Sequence, residues 1–424
     1  MKPSTFPLER ELGIRWYASD AEGIGGRLRT TAEDFLVEEI PPERKQTSGP
    51  FLICRLTKRN WELQHAVKEI AKRLGISHRR IGWAGTKDRN AVTTQWISLY
   101  NVTPEQVAAL YLKDITLEPL TRSNEGLSLG DLLGNRFAIV IRDPDPADLA
   151  GRVRSVSETV AAAGVPNYFG LQRFGAVRPV THRVGEWILK GDYEQAVLTY
   201  VGMEFPGEPG ETRAIRAAFR ATRDPVSALH ALPVQMNFER AMLHHLAECP
   251  DDYAGALQVL PPKLLSMFVS AFQSYLFNLA LSRRIDDGYT LDDPQPGDRL
   301  LFVNGRTDTV TTANSGAVKI HLKRGRCTIA LFMPGKEKFE AKTPGEQATE
   351  ALLLEYCISP EDFARASVFV RTKYEGAWRP VALKTEIQSA IGEGSLHLRF
   401  TLPPGHYATT VCREFMKADP ERMI

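Results

Sequence analysis

Regular spacing of apolar residues along the chain predicts both strands and helices. Three segments with an alternating or continuous apolar pattern predict strands: PFLICRLTKR (residues 50–59), VTTQWISLY (92–100) and NRFAIVIRD (135–143). In EDFLVEEIP (33–41), Phe35 and Val37 fall on one face of a further strand, and Leu36 and Glu38 fall on the other. The first part of the chain therefore holds enough strands for a sheet.

Apolar residues at helical spacing predict helices between and after these strands. In WELQHAVKEIAKRLGI (61–76), Leu63, Val67 and Ile70 repeat at helical intervals, and Gly75 ends the pattern. Three more segments predict helices: PADLAGRVRSVSETVAAAG (146–164), the largely buried PPKLLSMFVSAFQSYLFNLALSRRI (261–285), and TPGEQATEALLLEYC (343–357) with Thr343 as its cap.

The later part of the chain predicts short strands separated by glycine and proline turns. These are DRLLFVNG (298–305), GAVKIHLKRG (316–325) and RCTIALFM (326–333). The chain ends in GSLHLRFTLPPGHYATTVCREFMK, which predicts a strand, a turn and a helix opening near Thr409. Strands and helices interleave without a regular βαβ rhythm, so we expect an α+β fold, a mixed and mostly antiparallel sheet flanked by helices.

Composition and charge narrow the class of protein only a little. The chain is 43% hydrophobic and 25% charged, as in ordinary globular proteins, and its net charge of +2 neither requires nor excludes nucleic acid. The five cysteines are scattered, which indicates neither a zinc site nor a disulfide framework and favours a reducing cytoplasm. We expect no signal peptide and no membrane span. A monomer is the default expectation.

Several common catalytic motifs do not occur in the sequence. There is no GxxxxGK[ST], HExxH or GxSxG motif, and GIGG at residues 23–26 does not follow a strand. An aspartyl phosphatase would have a second Asp two residues after Asp88, where Asn90 stands.

The segment WAGTKDRNAVTTQW (83–96) places a single carboxylate, Asp88, between two cations. Lys87 and Arg89 could keep this carboxylate ionised. In an extended backbone, however, both would point away from it, because side chains alternate. The residues alone leave two interpretations open: an exposed turn Asp, or a chemically active group.

Two further segments suggest contact with a nucleic acid. PNYFGLQRFG (166–175) concentrates three aromatic residues in a glycine-rich loop, which could form a platform for a planar base or simply plug the core. KEIAKRLGISHRR (68–80) could contact phosphate groups or be a solvated helix face.

Seven short stretches, in order, resemble the TruD family of pseudouridine synthases. They are EDFLVEE, AGTKDRNAVTTQW, LGDLLGNRF, VPNYFGLQRFG, SAFQSYLFN, PGDRL and LPPGHYATTVCRE. The resemblance implies a pseudouridine-synthase-like sheet with an inserted second α/β domain. The expected limits are 1–189 and 377–424 for the catalytic domain and 190–376 for the insertion. The implied reaction isomerises uridine to pseudouridine in tRNA, usually at position 13 of the D-arm, without metal or organic cofactor.

The resemblance also assigns roles to individual residues. The catalytic aspartate of the G-x-K-D motif falls on Asp88, the stacking phenylalanine of NYFG on Phe169, and its neighbour in the pocket on Asn167. Phe35 matches the phenylalanine of EDF, and Arg29 stands where bacterial members have a Lys six positions earlier. Lys87 is expected to orient Asp88 or touch phosphate.

These assignments fit the chemistry that pseudouridine formation requires. A carboxylate can attack the sugar or the base and later leave, and aromatic walls can retain the freed uracil. The target must leave the RNA stack. Two other classes stay open from the sequence alone: an RNA-binding protein or RNA chaperone of the same fold without catalysis, and an RNA methyltransferase, which the missing glycine-rich cofactor loop disfavours.

Overall fold

The structure, a computed structural model, describes residues 1–423. Within them the strands are β1 (Lys2–Pro3), β2 (Trp16–Tyr17), β3 (Gly25–Arg27), β4 (Phe35–Ile40), β5 (Phe51–Arg59), β6 (Ile81–Trp83), β7 (Val92–Tyr100), β8 (Ile115–Ser123), β9 (Gly134–Pro144), β10 (Val165–Pro166), β11 (Arg299–Phe302), β12 (Thr307–Thr309), β13 (Cys327–Met333), β14 (Ala377–Pro380), β15 (Ala382–Leu383), β16 (Gln388–Gly392) and β17 (Ser395–Leu402).

The α-helices of the same residues are α1 (Pro7–Glu11), α2 (Leu63–Leu74), α3 (Pro104–Ala108), α4 (Leu149–Ala163), α5 (Thr181–Lys190), α6 (Tyr193–Gly202), α7 (Gly210–Thr222), α8 (Pro225–Ala231), α9 (Asn237–Glu248), α10 (Tyr253–Gln258), α11 (Pro262–Asp286), α12 (Ser315–Lys323), α13 (Pro344–Glu355), α14 (Pro360–Val370) and α15 (Ala408–Met416).

The described chain divides into two compact units. The sheet unit consists of Ser19–Ala161 and the segment from Lys384 onward, and the helical unit consists of Met1–Ala18 and Ala162–Leu383. The domain limits expected from the sequence, 1–189, 190–376 and 377–424, stay predictions, because compactness does not define the family's domains.

The sheet unit is built on one large mixed sheet. In the described residues its strand order is β16-β17-β9-β4-β7-β5-β8, with β3 also beside β9 and β6 also beside β7. The β4–β7 pair is parallel, and the other pairs are antiparallel. Helix α2 packs its apolar stripe on β5 and ends at Gly75 in the left-handed conformation, with φ of 65°. The predicted mixed, mostly antiparallel sheet with helices is confirmed.

The helical unit is organised around α11. Helix α5 crosses it closely at Gly185, where a Cβ atom would lie 2.0 Å from the carbonyl oxygen of Phe268. A small sheet in the order β12-β11-β13-β14 and two short pairs, β1–β2 and β10–β15, also belong to this unit. Thr343 caps α13 by accepting a hydrogen bond from the backbone N–H of Glu346, which confirms the predicted cap.

Helix α11 is long and apolar enough to cross a membrane by those two measures alone. However, 72% of its most apolar window is buried inside the protein, which is typical of a core helix. The sequence also predicts a largely buried helix here, and the structure forms it without a break over Pro262–Asp286.

One predicted strand is wrong. Residues 316–325 alternate apolar and polar side chains, but Ser315–Lys323 forms helix α12. A strand would place Val318, Ile320 and Leu322 on one buried face. In the helix Val318 and Leu322 lie one turn apart and are buried, and Ile320 is 52% exposed. The periods of a strand and a helix cannot be separated over so few residues.

Candidate active site

The Asp88 loop, residues 84–91, connects β6 to β7 in the sheet unit. The carboxylate of Asp88 is 42% exposed, and its Oδ2 lies 2.6 Å from Nη2 of Arg29. Arg29 follows β3 in the left-handed conformation, with φ of 57°, and its side chain is only 6% exposed. A guanidinium remains charged at every physiological pH, so Arg29 places a permanent positive charge beside this carboxylate.

The ring of Phe35 supports the guanidinium of Arg29. The Arg29 Cζ lies 4.2 Å from the ring centroid, a distance typical of a cation–π contact. Phe137 packs against the same ring edge to face, with centroids 6.3 Å apart, and Phe35 is 1% exposed. The geometry therefore gives Phe35 a contact with Arg29, and its expected contact with substrate stays a prediction.

Lys87 points away from its neighbour Asp88 and into the protein. Its Nζ lies 2.5 Å from Oε2 of Glu39 on β4, in a pair whose side chains are 5% and 0% exposed. The other carboxylate oxygen of Glu39 accepts the backbone N–H of Trp96. A Cβ atom on Gly85 would lie 2.8 Å from the Lys87 Nζ, so a glycine here leaves room for the pair. This burial favours a supporting role for Lys87 in the loop.

Two hydrogen bonds to carbonyl oxygens hold the Asp88 loop to neighbouring strands. Nε2 of Gln95 donates to the carbonyl oxygen of Gly85 at 3.0 Å, and Nζ of Lys58 donates to that of Asp88 at 3.0 Å. Together with the Lys87–Glu39 pair, these bonds fix the backbone on both sides of the exposed carboxylate.

Phe169 lies in the helical unit on the loop after β10 and is 8% exposed. Asn278 of α11 holds its backbone at both ends: Oδ1 accepts the Phe169 N–H at 2.9 Å, and Nδ2 donates to the Phe169 carbonyl oxygen at 3.0 Å. The ring of Phe277 packs edge to face against that of Phe169, with centroids 5.7 Å apart. The aromatic loop of the sequence is thus a fixed structure, because a buried amide satisfies its backbone.

Arg379 of β14 covers the ring of Phe169. Its Cζ lies 3.9 Å from the ring centroid, and its Nη2 donates to Oδ1 of Asn167 at 2.9 Å. Nδ2 of Asn167 donates to the carbonyl oxygen of Pro380 at 2.9 Å. Asn167 is 1% exposed and both of its amide atoms bond to β14, so it holds Arg379 over Phe169.

A family model described as tRNA pseudouridine synthase D (TruD) matches residues 11–415. The chain belongs to the TruD family. It is 40% identical to a Methanosarcina acetivorans relative over 100% of both chains, and 38% identical to a Thermococcus onnurineus relative over 95% of this chain and 97% of the other. Both are named "Probable tRNA pseudouridine synthase D".

A solved TruD structure has the same fold. A crystal structure from Methanosarcina mazei, titled "Putative tRNA pseudouridine synthase D (TruD)", superposes with a TM-score of 0.82 at 38% identity, covering 99% of this chain and 100% of that one. The resemblance to the TruD family is therefore confirmed, and so is the predicted fold. The enzyme class is confirmed as well: the protein is an isomerase, a tRNA pseudouridine synthase.

The sequence did not identify four residues that hold the candidate site residues in place. Glu39 and Lys58 could have been suspected, because each puts a charge at an inward position of a strand. Asn278 has a similar signal, as a buried amide in an apolar helix. No local signal identifies Arg379, whose partner Asn167 is 212 residues away in sequence.

Proposed function

We propose that this TruD chain converts uridine 13 of tRNA to pseudouridine, with Asp88 as the nucleophile. The observation that supports this most directly is the Asp88 carboxylate itself, which is partly exposed, paired with the buried Arg29 at 2.6 Å and carried on a fixed loop. A nucleophile needs such an accessible and oriented position.

The proposed reaction rearranges bonds within one nucleotide. The carboxylate of Asp88 adds to the substrate, the N1–C1′ bond breaks, the uracil turns, and C5 bonds to C1′. A carboxylate attached to C1′ is displaced as this bond forms, whereas one attached to C6 is eliminated afterwards. C5 gives its hydrogen to solvent as a proton, and N1 gains a proton. The first attack is on C1′ of the sugar or on C6 of the base. Arg29 keeps the carboxylate in one orientation during both the addition and the departure.

The proposed function is tested with tRNA transcripts tritiated at C5 of uridine. Release of tritium by the wild-type protein is the expected result, and it should disappear when position 13 is changed to cytidine. Binding of the transcript without release would favour the alternative of a non-catalytic RNA-binding protein. Release that persists without a uridine at position 13 would keep the reaction but reject the proposed target.

Phe169 and Arg379 are proposed to hold the flipped uracil. Aromatic rings and guanidinium planes both stack on bases, at about 1–3 kcal/mol per base for an aromatic ring. We therefore expect Phe169→Ala to lower the single-turnover rate constant by about 5–150-fold, the range to which this energy corresponds. The tRNA Kd should change far less, because one base is a small share of the interface.

A matched control exists in the same unit. Phe238 of α9 is 43% exposed, and Phe238→Ala should leave both kcat and Kd unchanged. Equal losses of turnover and affinity in Phe169→Ala would contradict a stacking role.

The basic face of α2 and the segment after it are proposed to contact tRNA phosphates. Its cations are Lys68, Lys72, Arg73 and Arg79, all exposed. Within residues 1–423, none of these four forms an ion pair with a carboxylate. Cations that no acid neutralises are available to displace counterions from RNA.

We expect the double variant Lys68→Glu/Lys72→Glu to weaken tRNA binding and to reduce the slope of log Kd against log salt by about one for each phosphate that is no longer bound. Fluorescence anisotropy at several salt concentrations measures both. Lys113→Glu, at an exposed position after α3, is the matched control. An unchanged salt slope would show that this face is only solvated.

Two further expectations concern the cellular location and the oligomeric state of the protein. We propose that the protein works in the cytoplasm, which the free thiols of its five cysteines support. A monomeric state stays a prediction.

A further inference from the structure

Lys58 is a charged residue in an apolar row. On β5 it continues the face formed by Leu52, Cys54 and Leu56, which pack in the core beneath α2. Lys58 itself is 0% exposed. Burying an ammonium group costs free energy unless it is well bonded, so its presence in this row calls for a specific partner.

The ammonium group of Lys58 joins the start of α2 to the Asp88 loop. Its Nζ donates to the carbonyl oxygen of Trp61 at 2.6 Å and to that of Asp88 at 3.0 Å. Strand β5 pairs with β7 and β8 on its two sides, with Thr93 and Ile115 as the neighbours of Lys58 across these pairings. The Asp88 backbone is therefore bonded to a strand that the sheet holds on both sides.

The charges around Lys58 are few. Asp88 and Glu62, the N-cap residue of α2, attract its positive charge, and Lys87 opposes it. The residues that pair with it from β7 and β8, Thr93 and Ile115, are uncharged. Burial is the largest effect and lowers the pKa of Lys58 to about 8.

We propose that Lys58 is a positioning residue, which holds the Asp88 backbone so that the carboxylate stays at Arg29 and faces the substrate. This rests on the proposed nucleophilic role of Asp88. The residue acts through the peptide of Asp88 and does not touch the reacting atoms.

Lys58→Met tests this with a side chain of similar length that cannot donate a hydrogen bond. We expect the single-turnover rate constant to fall about 100-fold, since a displacement of the reacting carboxylate by 1 Å has an effect of that order. The tRNA Kd should not change. The Tm should change little, because the loss of two hydrogen bonds to carbonyl oxygens opposes the gain from removing a buried charge. Lys113→Met, at an exposed site, should leave all three values unchanged.

A purely structural Lys58 would give the opposite pattern, with a lower Tm, a smaller loss of kcat and broad loss of affinity. Wild-type kcat in Lys58→Met would overturn the proposal directly.

The dependence of rate on pH gives a second readout. Wild-type kcat should decline moderately as pH rises through about 8, because Lys58 loses the charge that strengthens its two hydrogen bonds. Lys58→Met should lack this decline. Folding lowers the pKa of this group from the ordinary 10.5, so the folded state binds fewer protons than the unfolded chain between about 8 and 10.5. The contribution of Lys58 to stability therefore rises over this range, and unfolding through this group does not explain a loss of rate.

Hydrogen exchange separates failure of this inference from failure of the proposed function. Peptides covering residues 84–91 should exchange faster in Lys58→Met than in wild type, while peptides from α11 should be unchanged. If wild type releases no tritium from tRNA, the proposed function fails and the exchange result alone decides the inference. Unchanged exchange at 84–91 would overturn it whether or not the protein is active.

Discussion

Asp88→Asn is expected to lower the rate of tritium release from C5-labelled tRNA by at least about 10⁴-fold, the scale of losing a nucleophile. The amide has nearly the same shape as the carboxylate, so the loop and its bonds to Lys58 and Gln95 should remain. What disappears is the negative charge and with it the ability to attack and leave. Single-turnover measurements with excess enzyme report this step without contributions from product release.

Binding and a matched variant make this result specific to catalysis. Asp88→Asn should bind tRNA at least as tightly as wild type, since the change removes one weak repulsion from the RNA phosphates. Asp114→Asn replaces another exposed aspartate of the sheet unit, at φ of 62°, a conformation that Asn adopts readily. It should retain full activity. Full activity in Asp88→Asn would remove Asp88 as the nucleophile.

Arg29→Gln is expected to have the second largest effect, a fall in kcat of about 10³-fold, comparable with removing a donor that stabilises charge in a buried site. The change removes the charge-assisted bond at 2.6 Å to Asp88 and the cation–π contact with Phe35. The freed carboxylate can then rotate away from the substrate. The measurement is again single-turnover release of tritium.

Two further variants show whether the loss comes from the specific Arg29–Asp88 pair or from a general loss of positive charge. Arg29→Lys keeps the positive charge and should recover most of the rate, because an ammonium group can still pair with the carboxylate of Asp88. Arg89→Gln removes an exposed cation from the residue after Asp88 and should alter tRNA affinity more than kcat. If Arg89→Gln slowed catalysis as much as Arg29→Gln, loss of general positive charge rather than the specific pair would explain both.

The fold was largely predictable from the sequence, because burial imposes one period on strands and another on helices. Strand β4 shows the strict alternation of buried and exposed residues that Phe35, Leu36, Val37 and Glu38 predict. The sequence predicts a strand where helix α12 forms, because the exposed Ile320 alternates with polar residues in the same way as the buried Val318 and Leu322. The residue types on their own do not reveal which apolar side chain the tertiary structure leaves in water.

The candidate site was only partly predictable, because the residues that contact it lie far apart along the chain. Short motifs identify Asp88 and Phe169, but not what holds them. Lys87 is adjacent to Asp88 in sequence and yet pairs with Glu39, while the cation that reaches Asp88 comes from Arg29, 59 residues earlier. Neighbouring residues on an extended backbone face opposite ways, so adjacency predicts the wrong partner.

The position of β17 in the sheet has a consequence for how the protein is made. This strand pairs with β9 from Asn135 to Arg142, but β9 ends at Pro144 and β17 begins at Ser395. At about 5–20 residues per second, a ribosome therefore needs roughly 10–50 s to supply the partner. Throughout this interval the side of β9 that β17 covers in the sheet has no partner strand, and an uncovered strand edge is a site for pairing with other chains. A messenger truncated before this strand would yield an aggregation-prone product rather than a shortened enzyme.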